Sequence, residues 1–173
     1  MSVSKKAVLG DLSTLESFFA TVLAERACWD TYLDYFTVLD TRQPCVQAVE
    51  CFTPEARIEY HMKGAPLVFQ GRAEYLGFLE QATAAQQMTA HVVGQHRFRW
   101  SDGRPRLLSH VTSWQWFVVN ADRGDLRPAE FTTIGYCEDD FEYIQGRWLI
   151  ARRIVKPAAG LVAVGAPPPP LVS

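Results

Sequence analysis

The sequence predicts one α+β domain in which helices come first and long antiparallel strands follow. Apolar residues recur three or four positions apart between Ser13 and Leu39, a spacing typical of an amphipathic helix. The second half of the chain reads as long strands separated by turns, and Asp102-Gly103 is the clearest hairpin signal. Hydrophobic residues make up 48% of the chain, as expected of a packed core. A strongly curved sheet around the long helix would enclose a pocket.

Length, charge and cysteine usage narrow the function classes. A chain of 173 residues fits one domain, and its net charge of −2 gives no basic surface for nucleic acid and no polybasic patch for a membrane. No apolar run is as long as a membrane span, and the N-terminal MSVSKKAVLG lacks the apolar stretch of a signal peptide. The four cysteines form no CxxC pair, which favours reduced thiols. We therefore expect a cytoplasmic protein.

The first half of the chain predicts three helices and two short strands. The long helix begins with Ser13 and Glu16 in a capping-box pattern, and it ends before Pro44, which disfavours helix in the residue before it. The elements that follow are a helix at 46–52, strands at 56–62 and 66–70, and a helix at 72–85.

The second half predicts four longer strands and a tail. The strands are expected at 88–100, 106–120, 130–144 and 147–157. Residues 158–173 are small, apolar and rich in proline, which predicts an extended arm rather than a folded element. The chain thus divides into a domain of residues 1–157 and a tail of residues 158–173, and we expect the tail to help close the pocket mouth.

A tight hairpin at Asp102-Gly103 would fix which side chains share a face of the sheet. Facing residues then sum to about 205, which places His91 opposite Trp114 and Gln95 opposite His110. The expected pocket face carries His91, Val93, Gln95, His110, Thr112 and Trp114, with Phe36, Phe131 and Thr133 also in the lining. The expected outward face is half apolar and predicts a homodimer or homotrimer built on Ser109, Val111, Ser113, Gln115, Phe117 and Val119. A slip of one residue would exchange the two faces.

His91 and Asp40 are the candidate catalytic pair. His91 lies in the apolar stretch MTAHVVG, where a core histidine satisfied by one hydrogen bond is the alternative. Asp40 ends the long helix, where a turn-forming role is the alternative. Together they fit a dyad, because a carboxylate fixes the tautomer of an imidazole and makes it a better base. His110 is a further candidate, either in the site or as a histidine bonded within the sheet.

Other motifs point away from metal and nucleotide chemistry. The four histidines are scattered without carboxylate spacing, so we expect no metal site, and no phosphate-binding glycine motif occurs. The cluster Glu138-Asp139-Asp140 is interpreted as a solvated strand end rather than a cation site.

Four segments resemble the SnoaL-like proteins of the nuclear transport factor 2-like superfamily: VLDTRQPCVQAVECFTPEARIEY, FQGRAEYLGFL, TAHVVGQHRF and IGYCEDDFEYIQGRWLIARR. The resemblance covers roughly residues 15–157 and implies a cone-shaped α+β barrel, a curved mixed sheet wrapped around the long N-terminal helix. The superfamily includes scytalone dehydratase, a hexachlorocyclohexane dehydrochlorinase, ketosteroid isomerases and polyketide cyclases. One fold hosts many reactions, so the resemblance is more specific for fold than for chemistry.

The resemblance to the dehydratase and the dehydrochlorinase also implies residue roles. Asp40 matches the catalytic aspartate, His91 matches the base, and Tyr60 matches the tyrosine that helps activate a substrate carbonyl through water.

This sequence also departs from the dehydratase pattern. The positions that differ are Leu39, where the dehydratase has a tyrosine, Trp116, where it has a second histidine, and Gly135 and Cys137, where it has a serine and an asparagine. His110, Gln95 or Tyr35 could instead supply the second polar group.

The leading hypothesis is a small-molecule lyase, isomerase or cyclase that needs no cofactor. His91, oriented by Asp40, would remove an acidic C–H proton from an apolar, cyclic or polyketide-like substrate, with Tyr60 and His110 assisting. Dehydration, isomerisation and cyclisation share this first step and stay open. The alternative is a non-catalytic domain for ligand binding or oligomer assembly, such as the small subunit of a ring-hydroxylating dioxygenase. An epoxide hydrolase ranks last, because no Asp/Arg/Asp trio is expected in the pocket.

Overall fold

The computed structural model describes residues 12–62, 64–124 and 126–163. Three α-helices and six strands make up these ranges, together with a 3₁₀ helix after the fourth strand. In chain order they are α1 (Leu12–Asp40), α2 (Cys45–Val49), β1 (Phe52–Tyr60), β2 (Leu67–Gln70), α3 (Arg72–Ala84), β3 (Gln86–Ser101), β4 (Arg104–Phe117), the 3₁₀ helix (Val118–Arg123), β5 (Phe131–Ile144) and β6 (Arg147–Val162).

The six strands form one mixed sheet in the order β2-β1-β6-β5-β4-β3. Only β1 and β6 are parallel, and every other neighbouring pair is antiparallel. The sheet curves around the helical layer, and α1 contacts β3, β4 and β6. The predicted fold class, a long N-terminal helix inside a curved mixed sheet, is confirmed. No helix in the described ranges is long and apolar enough to cross a membrane.

The core lies between the second half of α1 and the concave face of the sheet. Cys28, Tyr32 and Tyr35 of α1 are buried, whereas Phe18 and Leu23, nearer its start, are mostly exposed. The buried aromatic and aliphatic residues that meet this part of α1 are Phe52, Ile58, Tyr75, Leu107, Phe141 and Ile150. Burial of these side chains is the main force that closes the sheet around α1.

A β-bulge in β3 overturns the predicted register of the long hairpin. Near the turn the pairing agrees with the prediction, and His96 lies opposite Ser109. Between His96 and Val93 the register shifts, so that one extra residue of β3 is accommodated there. Beyond the bulge His91 lies opposite Ser113, and Trp114 lies opposite Ala90.

Because of this shift, the residues of β4 that face the cavity are those that the sequence predicted to face outward. Ser109, Val111, Ser113 and Gln115, which were expected to face outward, are on the concave face, and Ser109 and Ser113 are buried. The expectation for Thr112, Trp114 and His110 is wrong for the same reason, since they lie on the convex face. A bulge cannot be read from alternation, because the alternating pattern continues on both sides of it.

The last strand also runs further than predicted. Residues 158–162 continue β6 and pair with β5, with Thr133 opposite Gly160 and Phe131 opposite Val162. Small apolar residues are compatible with an extended strand wherever a partner supplies the backbone hydrogen bonds, so the expectation of an unpaired arm from Ala158 is wrong for these five residues. Ala163 follows the strand and donates a backbone hydrogen bond to Glu130, and the rest of the predicted tail, residues 164–173, lies outside the described residues.

Candidate active site

The helices and the concave face of the sheet enclose a cavity of about 450 Å³. Helices α1 and α3 cover it on one side, and strands β4, β5 and β6 form the other. Most of its surface is apolar, and its polar groups fall into a few separate clusters. Residues that line it include Tyr35, Phe36, Leu39, Tyr60, Phe78, Leu79, His91, Val111, Ser113, Gln115, Phe131, Thr133, Arg153 and Val155.

Asp40 and His91 are in direct contact at one side of the cavity. Asp40 Oδ1 lies 2.6 Å from His91 Nδ1, and Asp40 Oδ2 accepts a 2.8 Å hydrogen bond from the backbone N–H of His91. The Thr89 hydroxyl donates to Asp40 Oδ1 over 2.9 Å. The sequence-based prediction that these two side chains touch agrees with this geometry. The contact between Asp40 and His91 arises because α1 ends at Asp40 beside the first half of β3.

The environment of Asp40 determines which ring nitrogen of His91 carries its proton. Partial burial acts to raise the pKa of Asp40, but hydrogen bonds from the His91 side chain, the His91 backbone and Thr89 outweigh it, and the pKa is lowered. An ionised carboxylate can only accept, so the proton between the two groups is on Nδ1 of His91. In the neutral ring Nε2 is then unprotonated and able to act as a base.

A second charged pair, Arg153 and Asp139, is fully buried. Arg153 Nε donates to Asp139 Oδ1 over 2.6 Å, and the two side chains are 1% and 0% exposed. Burial raises the pKa of Asp139 to about 6 in spite of the nearby Arg153 charge. The carboxylate in turn raises the pKa of Arg153, so the guanidinium stays charged.

Arg153 also has unused hydrogen-bonding capacity. Its guanidinium carbon lies 4.4 Å from the centre of the Tyr35 ring and 5.6 Å from that of Phe36. Its Nη2 is buried and has no hydrogen-bond partner among the described residues. Asp139 Oδ2 is likewise buried without a partner among the described residues, and Arg153 lines the cavity, so its guanidinium is a charged donor that the cavity can offer to an oxygen of a ligand.

Three tyrosine hydroxyls form a chain beside Arg153. Tyr75 OH lies 2.6 Å from Tyr35 OH and 2.9 Å from Tyr60 OH. Burial raises the pKa of all three, so they stay protonated. Three protons serve two contacts, and one O–H is therefore left to donate beyond the chain. Since Tyr35 and Tyr60 line the cavity, either end of the chain can present that donor to a ligand.

The cavity brings together only part of the predicted site. Asp40, His91, Tyr60 and Tyr35 border it or contact its lining, and so do the predicted binding residues Phe36, Phe131 and Thr133. The bulge removes four residues from the predicted set: His110 and Gln95 are exposed, and Thr112 and Trp114 lie on the convex face. Val93 packs against the core rather than in the cavity lining.

Sequence reasoning missed Arg153, Tyr75 and the inward residues of β4. A signal for Arg153 exists in RWLIARRIVKP, because alternation puts Arg153 on the same face as Val155 and Pro157, an apolar setting for a charge. The interpretation of Glu138-Asp139-Asp140 as a solvated strand end is wrong for Asp139, which pairs with Arg153 inside. Its neighbours do pair on the convex face, Glu138 with Lys156 and Asp140 with Arg106. Across residues 12–62, 64–124 and 126–163, no three His, Cys, Asp or Glu side chains are grouped so as to hold a metal ion.

Comparisons with known proteins agree on the fold. A family model described as a SnoaL-like domain matches residues 20–154. No curated protein sequence matches the chain. Among solved structures, a provisionally named scytalone dehydratase from Novosphingobium aromaticivorans is 18% identical, with a TM-score of 0.70 over 83% of this chain and 89% of that one.

Two further structures are similar to a comparable extent. A hexachlorocyclohexane dehydrochlorinase, LinA-type3 from Novosphingobium barchaimii, is 14% identical, with a TM-score of 0.68 over 86% of this chain and 97% of that one. A provisionally named aromatic ring hydroxylase from Novosphingobium aromaticivorans is 14% identical, with a TM-score of 0.71 over 83% and 95% of the two chains. At these identities the likeness concerns the fold alone.

Proposed function

The chain belongs to the SnoaL-like domain family, and from that premise we propose that it is a lyase, isomerase or cyclase acting by acid–base chemistry of its own side chains. In this proposal His91 Nε2 removes a proton from a carbon atom of an apolar cyclic substrate. The observation that carries the proposal is the Asp40–His91 contact at the edge of an apolar cavity. Asp40 fixes the tautomer and stabilises the imidazolium that forms on proton transfer.

The buried groups across the cavity supply the complementary charge. Proton loss next to a carbonyl group moves negative charge onto the carbonyl oxygen. The unpaired Nη2 of Arg153 and the spare O–H of the tyrosine chain are donors for that oxygen, and they are preorganised by Asp139 and Tyr75. Fixed donors on buried side chains are effective in stabilising such an oxyanion.

The volume and the aromatic lining of the cavity suit a ligand with one ring or two fused rings. Its volume of about 450 Å³ lies within the range of small-molecule sites, and Phe36, Phe78 and Phe131 provide aromatic walls. The Phe36 ring borders both active groups, with its centre 4.8 Å from that of the His91 ring and 5.6 Å from the Arg153 guanidinium carbon. A single ring system resting on Phe36 can therefore contact the base and the oxyanion donors together.

The names of two similar structures favour elimination among the three possible outcomes. A dehydratase and a dehydrochlorinase both remove a proton and a leaving group from their substrates. Isomerisation and cyclisation require the same first proton transfer, so the proposal holds for the proton abstraction and extends to elimination by this analogy.

A second function, assembly without catalysis, is favoured by the convex face of the sheet. Val92, Ile134 and Leu161 expose 56%, 44% and 66% of their surface there, and the fold is shared with the provisionally named aromatic ring hydroxylase. An apolar face of this kind is typical of an interface between subunits. Assembly and catalysis use opposite faces of the sheet, and the experiment that follows separates them.

Deuterium exchange tests the proposed proton abstraction without knowledge of the substrate. The probe is 2-tetralone, a two-ring ketone with acidic C–H groups on both sides of its carbonyl, and exchange in deuterium oxide is followed by proton NMR. We expect the protein to accelerate exchange and His91→Asn to reduce that acceleration by about 100-fold or more. His61→Asn, which alters a histidine outside the cavity, is the matched control and should leave exchange unchanged. Equal exchange in protein and buffer would contradict the proposal and favour assembly.

A further inference from the structure

A pair of hydroxyl groups lies in the cavity wall on the same row as His91. Ser113 faces His91 across β3 and β4, and it faces Thr133 across β4 and β5. The two hydroxyl oxygens are 2.6 Å apart, and both residues line the cavity. A pair of hydroxyls holds two protons and uses one in the mutual contact, so one O–H remains to donate to a third group.

The next inward residue of β4 adds a second donor. Gln115 Oε1 accepts a 3.1 Å hydrogen bond from Gln86 Nε2, which fixes the orientation of the Gln115 amide. Its own Nε2 makes no hydrogen bond to the described residues, and Gln115 lines the cavity. Ser113 and Gln86 are each 7% exposed, so these groups are held in place by the surrounding structure.

The chemistry of this cluster differs from that of Arg153. Ser113, Thr133 and Gln115 are neutral, and they leave one O–H and the Gln115 amide N–H as donors, while the hydroxyl oxygens can also accept. A neutral oxygen atom, from a hydroxyl or a carbonyl group, is the complement of such a cluster, whereas an anionic oxygen is better matched by a guanidinium. A halogen or hydrocarbon group at this place would leave the donors without partners, and such mismatches are discriminated strongly.

We propose that Ser113, Thr133 and Gln115 form a second oxygen-binding subsite and that the natural ligand is a ring compound with two oxygen groups. One oxygen, which becomes anionic during the reaction, is bound by Arg153 and the tyrosine chain. The other is a neutral hydroxyl or carbonyl oxygen bound at the second subsite, beside His91. The inference rests on the proposed function for the position of the first oxygen and adds the class of substrate.

Three naphthalene derivatives test the subsite directly. The probes are 2-naphthol, 2,6-dihydroxynaphthalene and 6-chloro-2-naphthol, and binding to the full-length protein is measured by calorimetry. The last two probes differ only in whether an oxygen or a chlorine stands at the far end of the ring system. We expect the wild-type protein to bind the diol about 10-fold more tightly than the chloro compound, the effect of one net hydrogen bond.

Inner and outer hydroxyl variants provide the matched comparison. The double variant Ser113→Ala/Thr133→Val should lose the preference for the diol while still binding 2-naphthol. The control is Thr112→Val/Thr132→Val, which removes two hydroxyls from neighbouring positions on the convex face and should keep the full preference.

The possible failures are distinguishable. Equal affinity of the wild-type protein for the diol and the chloro compound, or a preference that survives in the Ser113→Ala/Thr133→Val variant, would overturn the subsite and leave the proposed proton abstraction intact. Absence of binding by all three probes, together with no acceleration of 2-tetralone exchange, would overturn both.

Discussion

Two carboxylate–histidine pairs occur on opposite faces of the same sheet, and their difference shows what makes a candidate site. On the concave side Asp40 Oδ1 lies 2.6 Å from His91 Nδ1, and on the convex side Glu59 Oε2 lies 2.8 Å from His61 Nε2. The contacts are alike, but the surroundings are not. The His91 side chain is 14% exposed and borders the cavity, whereas that of His61 is 38% exposed.

The carboxylates of the two pairs also serve different partners. Asp40 binds the side chain and backbone of His91 together with Thr89. Glu59 instead receives hydrogen bonds from Arg57 and Arg152 as well as His61, so it is the centre of an ion-pair network. Each histidine uses one ring nitrogen in its carboxylate contact, so the comparison indicates that the position of His91 in the cavity lining, more than the contact itself, distinguishes a base from a structural histidine.

The largest expected effect is on stability, and it should differ between substitutions of the two neighbouring arginines of β6. Arg153→Met leaves Asp139 buried without its partner, which should cost about 3 kcal/mol or more of unfolding free energy. Arg152→Met removes a side chain that is 41% exposed, and the cost should stay below about 1 kcal/mol. Urea denaturation measures both.

The pH dependence of the Arg153→Met variant gives a further check. Without Arg153 the pKa of buried Asp139 rises further above its unfolded value, so the destabilisation should grow as the pH increases from 5 to 8. Equal stability losses in the two arginine variants would show that the Arg153–Asp139 pair does not hold the inner face together.

The second expected effect concerns proton transfer. Asp40→Asn keeps the size of the side chain but removes the charge that orients and stabilises the protonated His91 ring. It should reduce 2-tetralone exchange by roughly 10- to 100-fold. The matched variant Glu59→Gln alters the other carboxylate–histidine pair and should leave exchange within about twofold of wild type, because its pair lies outside the cavity. A loss of similar size in both variants would contradict the distinction between the two pairs.

Stability at low pH should depend on Glu59, the carboxylate of the convex pair. The hydrogen bond from His61, together with those from Arg57 and Arg152, lowers the pKa of Glu59 from 4.5 to about 2. Its folded-state pKa lies below the unfolded value, so its stabilising contribution is present above about pH 4.5 and is lost as the pH falls towards 2. Glu59→Gln should therefore flatten the acid limb of the stability curve, measured by thermal unfolding between these pH values. An unchanged acid limb would count against the ion-pair network.

Substitutions on the convex face are expected to change the oligomeric state, with a smaller effect on the site. The predicted homodimer or homotrimer is now expected on Val92, Ile134 and Leu161 instead of the inward residues of β4. Val92→Glu/Ile134→Lys should shift the protein to monomer in light scattering while 2-tetralone exchange continues. Leu126→Lys, at an exposed loop position, is the control. A wild-type protein that is monomeric at micromolar concentration would refute the expected oligomer.

Only the part of the concave site that lies in segments with a recognisable sequence pattern could be predicted. The segment ending in Asp40 and the segment TAHVVG carry the family resemblance, and they lie at the end of a helix and in a strand that touch each other. Helix periodicity and strand alternation sufficed for the order of elements and the α+β class.

The inward residues of β4 could not be predicted, because one extra residue between Val93 and His96 changes which side chains enter the cavity. Nothing in the alternation of β4 itself reports that shift. The pairing of Arg153 with Asp139 depends on the register of β5 and β6, which are joined by a second hairpin with irregularities of its own. A contact between neighbouring strands changes with each irregularity between it and the hairpin turn, whereas the contact between Asp40 and His91 joins a helix end to a strand and does not depend on the register of β5 and β6.

The tautomer of His91 tests the central claim most directly. Nitrogen-15 NMR of the histidine-labelled protein reports which ring nitrogen carries the proton, and His91→Asn identifies the signal. We expect the neutral ring to be protonated at Nδ1 in the wild-type protein and this preference to be lost in Asp40→Asn. A neutral His91 protonated at Nε2 in the wild-type protein would leave that nitrogen without a lone pair to accept a substrate proton, and it would contradict the assignment of His91 as the base.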